Sequence, residues 1–450
     1  MNARTKMIAT VGPSTASEAL IEELIQAGIT VFRINFSHGS QAEHLQVIQR
    51  IHRVRTKLKK PVAIMMDTKG FEIRVENELS VEKGRTYKLG GKGDFLIRPS
   101  HVIESIETGM ELLFDDGYLV GKCTGTYEGG VLVEFKNSRL LKANKNVHIP
   151  SARLKTLDLN ESDASDIAFA CKHGVEWIAA SFVSSKANIS AIKALLEKEG
   201  LEGVGVIAKI ETTKSIENFE EILAAADGIM VARGDLGIEL RMEEIPSIQK
   251  RLVAKSQQAG KVAIVATQML ESMIENPRPT RAEVSDVANA VFDSASAIML
   301  SGETAVGKYP IETVSQMRRI AIDAEKHIPY TDLYFKKGHA QYLSKDLAIA
   351  HGAVILSISC KTVAILVCSN TSELAASISS LRPSLPIFVA TTSSSNYYRL
   401  AMQWGVTPLL LNESAAYQFF AETGLVHEGD QLVVVHETHT IQLKTHATCI

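Results

Sequence analysis

Eight short apolar runs, at residues 7–11, 30–34, 62–66, 176–180, 204–209, 228–231, 262–266 and 297–300, recur along this 450-residue chain. Stretches with apolar residues at helical spacing lie between most of them, at 41–58, 186–199, 214–225 and 243–258, and 310–326 follows the last. Strands apolar on both faces must be covered on both faces, which is the situation of a parallel sheet wrapped by helices. Eight strands alternating with helices therefore predict a closed (β/α)8 TIM barrel, whose chemistry sits at the C-terminal strand ends. Capping patterns predict where helices begin: a capping box at Thr15-Ala-Ser-Glu18 with Gly28 closing that helix, a cap at Asn160 and a capping box at Thr280-Arg-Ala-Glu283.

The alternation stops once. From Phe71 to about Pro150 short alternating stretches are cut by Gly90-Gly91, Asp116-Gly117 and Gly129-Gly130, the pattern of a small β-barrel or sandwich inserted in the larger fold. A further α/β unit begins near Ser344, with strands expected at 363–368 and 387–390 and near 406 and 432. The expected division is 1–70 and 151–340 for the barrel, 71–150 for the inserted β-barrel lid, and 341–450 for a C-terminal α/β domain.

Net charge of −3 with both signs mixed provides no basic surface for nucleic acid. No apolar span reaches the length of a membrane helix, and five cysteines (Cys123, Cys171, Cys360, Cys368, Cys449) are scattered without metal-type spacing. A reduced, cytoplasmic protein without a membrane partner is the expectation.

The densest chemistry lies in 207–237. Lys209 and Glu211 are two apart on a strand and share a face, while Ala208 and Ile210 take the other. The following strand ends in Gly234 and Asp235, where the chain is expected to enter a loop. Two carboxylates converging beside a lysine suit Mg²⁺, which keeps positions open for water and phosphate oxygens. Thr267, at the end of the run 262–266, reads as the N-cap of a helix it begins.

The runs TKMIATVGPS, FRINFSHG, MMDTKGFEIR, IAKIE, VARGDLGIEL, ATQMLESMIENPRPTRAEVSDVANAVFD and IMLSGETA span the barrel in order and resemble the pyruvate kinase family. The resemblance implies a barrel with an inserted lid and a C-terminal effector or assembly domain, a homotetramer, and a glycolytic enzyme that transfers a phosphoryl group from phosphoenolpyruvate to ADP, giving pyruvate and ATP. It implies Mg²⁺ (or Mn²⁺) on Glu211 and Asp235, and K⁺ among Asn35, Ser37, Asp67 and Thr68. Lys209, Arg33 and Thr267 would be the catalytic set. Substrate would meet Arg33, Lys209, Gly234, Asp235 and Thr267, and nucleotide would meet Asn35, His38, Arg74 and Lys145. A glutamate at Glu72 implies the class that requires a monovalent cation, since a second class carries lysine there. The chain departs from the family at Phe71, where proline is usual, at Ser184 and Thr212, and at Glu373, which adds a negative charge to the loop Ser369-Asn-Thr-Ser372 that resembles a sugar-phosphate grip.

Overall fold

The computed structural model describes residues 3–150, 158–336 and 344–446. Eight parallel strands close into a barrel: β1 (Lys6–Thr10), β2 (Val31–Asn35), β3 (Ala63–Asp67), β4 (Trp177–Ala180), β5 (Gly205–Ile210), β6 (Gly228–Ala232), β7 (Val262–Ala266) and β8 (Ala297–Leu300). Each pairs with its sequence neighbours, and β1 pairs with β8 to complete the ring. Alternate residues fill the interior, among them Ile8, Val31, Met65, Trp177, Ala179 and Ile207, whereas Ala208 and Ile210 pack outward beneath the helices. Following the interior rows to the C-terminal strand ends adds Thr10, Arg33, Asp67, Ser181, Lys209 and Glu211. One rim of the barrel is therefore polar because the apolar row ends there.

Helix ends mostly follow the capping chemistry. Asn160 accepts from Asp163 N, and the Thr280–Glu283 capping box is complete. The first helix (Glu18–Ala27) differs: its N-cap is Ser17, whose Oγ accepts from Leu20 N, and Gly28 closes it at φ 125°. Thr15 is unavailable as a cap because its buried hydroxyl donates to Thr304 O (2.9 Å) and accepts from Gly12 N. The run 214–225 forms two helices, Thr213–Glu217 and Phe219–Ala225, meeting at Asn218.

Between β3 and β4 the chain forms a β module with one short 3-10 helix, Ser100–Ser105. Strands Thr86–Leu89, Glu111–Phe114, Leu119–Tyr127, Gly130–Phe135 and Val147–His148 make one antiparallel sheet, flanked by two short ribbons, over a core containing Phe95, Phe114 and Phe135. Its entry is tied to the barrel by Asp163, whose carboxylate accepts from Lys69 N (3.2 Å) and Gly70 N (3.0 Å). Gly70 has φ +70°, and a Cβ there would lie 2.7 Å from the Phe182 ring, so this turn needs glycine.

The C-terminal sheet comprises β9 (Ala364–Cys368), β10 (Ile387–Ala390), β11 (Val406–Leu409), β12 (Gln431–His436) and β13 (Ile441–Thr445), in the order β11-β10-β9-β12-β13. Strand β13 and the helix Glu413–Thr423 were not foreseen from the sequence. This unit plugs the barrel floor: Ala401 and Met402 join the interior core, Trp177 Nε1 donates to Arg399 O (3.2 Å), and Lys6 Nζ donates to Val406 O (2.6 Å). The Arg4 guanidinium lies against the Tyr330 and Trp404 rings.

A buried ion pair of the barrel lies at that floor, with its arginine against a ring of the C-terminal unit. Arg55 Nη1 donates to Glu176 Oε1 (2.9 Å) and Val62 O (2.8 Å), with its guanidinium 3.5 Å from the Tyr398 ring centroid, and Glu176 Oε2 accepts from Ile64 N (2.7 Å). Burial pushes the Glu176 carboxyl up to about 7, and Arg55 pulls it part of the way back. Arg55→Met is expected to cost about 3 kcal/mol, because removing one partner leaves a buried carboxyl without its counterion. A carboxyl whose folded pKa is raised contributes stability that is full below its unfolded value and lost as pH rises through the folded one. Without Arg55 that pKa rises further, so the deficit of the variant widens between about pH 6 and 8. Urea denaturation followed by tryptophan fluorescence measures both quantities, and a deficit under ~1 kcal/mol, the worth of an exposed pair, would contradict this account.

Candidate active site

The polar rim converges on Asp67. Its Oδ2 accepts from Arg33 Nε (2.5 Å), and its Oδ1 accepts from Lys209 Nζ (3.1 Å). Arg33 Nη1 also donates to Thr10 Oγ1 (3.1 Å), which fixes the guanidinium plane between β1 and β3. Burial opposes ionisation of Asp67, yet the charges of Arg33 and Lys209 hold its carboxyl below the usual range. Lys209 Nζ reaches Glu211 Oε1 at 2.8 Å and donates to Ser181 Oγ at 2.7 Å. Burial disfavours this ammonium, but Asp67, Glu211 and Asp235 outweigh it and keep the lysine charged above its ordinary range.

Glu211 and Asp235 lack sufficient compensation. Burial pushes Glu211 up to about 7, against the pull of Lys209 and with a further push from Asp235. Its Oε2 accepts from Phe182 N (2.7 Å). Asp235 is raised by burial, with Asp67 and Asp116 adding to the push against Lys209. Two neighbouring carboxylates held above their normal range form an all-oxygen donor pair short of positive charge, which fits a hard divalent cation.

Asp235 does not lie in a loop. The chain enters the helix Arg233–Glu239 directly after β6, placing Gly234 and Asp235 in its first turn. Thr267 caps no helix: it has φ +69°, and the next helical turn, Glu271–Ile274, has Leu270 at its cap. The Thr267 hydroxyl is used otherwise, donating to Ala266 O (2.6 Å) and accepting from Gly234 N (2.8 Å). Arg233 holds this corner, donating to Thr267 O (2.7 Å) and pairing with Asp286 at 2.7 Å.

The oxygen-rich ends of β2 and β3 are also adjacent. Asn35 and Asp67 are register partners, Asn35 Oδ1 accepts from Ser37 N (3.1 Å), and Thr68 Oγ1 accepts from Ser181 N (3.0 Å). Of the residues expected at the nucleotide, Asn35 belongs to this cluster, whereas His38, Arg74 and Lys145 are not gathered with it. His38 is exposed on its loop. Arg74 is held by both oxygens of Glu72 (2.8 and 2.9 Å) and donates to Asn144 O, and Lys145 pairs with Asp115 at 2.6 Å within the β module. A cleft of about 880 Å³ runs between that module and the barrel, lined by Thr68, Glu72, His148, Ser181 and Asp235 among others.

Sequence reasoning missed two residues. Ser181 bridges Lys209 to Thr68 O, to which it donates at 2.7 Å, and its place one step beyond Ala179 on the interior row is the signal that marks it. Arg233 offered no comparable signal, because its hold on Thr267 joins a helix start to a turn 34 positions further along the chain. Among the described residues, Cys123, Cys171, Cys360 and Cys368 are free, and no helix is long and apolar enough to cross a membrane. Cys449 lies outside the described residues.

Residues 2–314 match the family model described as pyruvate kinase, barrel domain, and residues 347–449 match pyruvate kinase, alpha/beta domain. A pyruvate kinase of Chlamydia muridarum is 39% identical over 472 residues, covering 99% of this chain and 98% of the relative. One of Sporosarcina psychrophila is 40% identical, covering 90% of this chain and 72% of its own length. A crystal structure of a pyruvate kinase from Cryptosporidium parvum superposes with a TM-score of 0.95 at 31% identity, over 99% of this chain and 96% of the other.

Proposed function

Because the chain belongs to the pyruvate kinase family and is a phosphotransferase, we propose that it transfers the phosphoryl group of phosphoenolpyruvate to ADP at the rim around Lys209, giving pyruvate and ATP in cytoplasmic glycolysis. The observation that carries this reading is the buried Lys209 ammonium between Asp67 and Glu211, with Asp235 adding its charge. Phosphoryl transfer needs positioning and charge stabilisation more than covalent help, and a fixed ammonium in a partly dry site offers both.

Arg33, already held flat by Asp67 and Thr10, is assigned to the substrate phosphate, for which its forked donors are suited. Lys209 neutralises the phosphoryl oxygens as they pass from donor to acceptor. The N-terminal turn of the helix Arg233–Glu239, with Gly234 N and the Thr267 hydroxyl it now donates to, is assigned to the substrate carboxylate, for which N–H groups at a helix start are favourable. Mg²⁺ (or Mn²⁺) on Glu211 and Asp235, and K⁺ among Asn35, Ser37, Asp67 and Thr68, would supply the positive charge that draws phosphate oxygens together. Asn35, His38, Arg74 and Lys145 are assigned to the nucleotide. In that role Arg74 exchanges Glu72 for phosphate and Lys145 leaves Asp115 as the module we delimit as 71–150 closes as a lid. A homotetramer is the assembly proposed from family membership. Pyruvate formation from phosphoenolpyruvate that requires both ADP and Mg²⁺ tests the reading, and ADP-independent formation would overturn it.

Regulation by a sugar bisphosphate is expected to be weak. Glu373 opens the helix that follows the 369–372 loop, and the Asn370 N–H already donates to Glu437 Oε2 (3.1 Å), so two carboxylates stand where a phosphate would bind. Fructose bisphosphate should lower the half-saturating phosphoenolpyruvate concentration by less than about twofold, under ~0.4 kcal/mol. Strong activation at micromolar concentration, abolished in Thr371→Ala, would refute this.

A further inference from the structure

Three metal-ligating side chains that the barrel chemistry does not use meet at the C-terminal strand ends in the middle of the C-terminal sheet. Cys368 is the last residue of β9, His436 is the last of β12, and the two are register partners on adjacent parallel strands. Glu413 is the first residue of the helix Glu413–Thr423, which brings its carboxylate to them. A sulfur, a carboxylate oxygen and a ring nitrogen from these residues all lie within 4.8 Å of one another.

We propose that Cys368, Glu413 and His436 bind a zinc ion, with water in the fourth position. The donor set selects the metal. One sulfur, one nitrogen and one oxygen suit a borderline-soft cation, whereas Mg²⁺ and K⁺ favour oxygen alone. The geometry is close to what such an ion needs. His436 Nε2 and Glu413 Oε2 are 3.1 Å apart. Ligands on a tetrahedron with bonds of about 2.0–2.3 Å are separated by roughly 3.3–3.7 Å, so closing the widest gap asks only for a side-chain adjustment of about 1 Å.

The neighbours orient two of the three donors. Glu413 Oε1 accepts from Lys444 Nζ (2.7 Å) and Tyr417 OH (3.4 Å), which leaves Oε2 turned toward His436. Thr440 Oγ1 lies 3.2 Å from His436 Nδ1 and can accept a proton held there, freeing the Nε2 lone pair for the metal. On binding, bonds form from zinc to Sγ, Nε2 and Oε2; the Cys368 S–H bond breaks and its proton passes to solvent, and the Nε2–H bond that faces Glu413 Oε2 breaks, with Nδ1 holding a proton toward Thr440 Oγ1 in the bound state. No electron is transferred. In the metal-free chain burial, with Glu413 adding to it and Lys444 opposing, pushes that thiol up to about 12, so binding has to displace its proton. The ion would clamp the ends of β9 and β12 beside the 369–372 loop.

The test is titration of the chelator-stripped full chain with Co²⁺ in excess Mg²⁺, which occupies the barrel carboxylates. One equivalent should give a thiolate-to-cobalt charge-transfer band that stoichiometric Zn²⁺ abolishes. Cys368→Ser should lose the band, and His436→Gln should weaken Co²⁺ binding by at least about a hundredfold, the upper range seen for losing mere outer-shell support. Circular dichroism checks that both variants fold, and should either fail, the wild-type spectrum decides alone. Absence of the band in the wild-type chain at stoichiometric Co²⁺, or its persistence in Cys368→Ser, would overturn the proposal.

Discussion

Lys209→Met should lower turnover by about a thousandfold, ~4 kcal/mol of transition-state stabilisation, while phosphoenolpyruvate still binds. The split between binding and turnover follows from the contacts. Arg33 is fixed by Asp67 and Thr10 without help from Lys209, so the ground-state phosphate keeps its partner. The ammonium is needed where the phosphoryl group is attached to neither donor nor acceptor, and that state exists only during transfer. Methionine keeps much of the side-chain bulk but leaves Asp67 Oδ1 and Glu211 Oε1 without a cation. Loss of a positive charge cannot weaken Mg²⁺ binding electrostatically, so metal affinity should hold or rise. Pre-steady-state phosphoryl transfer together with equilibrium binding of phosphoenolpyruvate measures the split. Turnover above about a tenth of wild type, a loss under ~1.4 kcal/mol, would remove Lys209 from the proposed role.

Replacing K⁺ by tetramethylammonium is expected to cost nearly as much. Asp67, Glu211 and Asp235 place three carboxylates at the rim, and Glu72 is among those that add negative charge to the cleft. A substrate phosphate entering beside them meets Arg33 and Lys209, but both cations already serve Asp67. A unit charge about 4 Å from the phosphate contributes ~4 kcal/mol at the effective dielectric of a protein surface, close to a thousandfold in rate. Tetramethylammonium carries the charge but cannot enter a shell made from Asn35, Ser37, Asp67 and Thr68. Glu72→Lys should restore part of the loss, and only part, because it also frees Arg74 from its carboxylate and sets two cations side by side. Unchanged turnover of the wild-type chain in tetramethylammonium with Mg²⁺ present would show that no monovalent ion is used.

What the sequence disclosed of this architecture depended on how local the determinant was. The barrel strands were legible because a parallel strand buried on both faces is a run of apolar residues, and the alternation with helices leaves few other folds. Lys209 and Glu211 were legible together because parity along a strand is a property of the strand alone. The Arg33–Asp67–Lys209 bridge was not, since three strands must be brought together before one carboxylate can serve two cations. Thr267 shows how a local rule is overridden. Its residue type suits a helix start, but Arg233 and Gly234 use its carbonyl and hydroxyl, and the chain turns there with a positive φ instead. At Thr15 a cap-like pattern was overridden by a buried hydrogen bond to Thr304, 289 positions away.

The pairing of β1 with β8 sets a condition on how the protein is made. Residue 6 leaves the ribosome early, but its partner Ala297 is synthesised almost 300 residues later, which at bacterial or eukaryotic elongation rates is a delay of roughly 15–60 s. The inserted β module needs no such wait, because its sheet pairs residues 86–148 with one another. Nascent chains should therefore carry a finished small domain beside an open, apolar strand edge, a state in which chaperone binding or aggregation competes with ring closure.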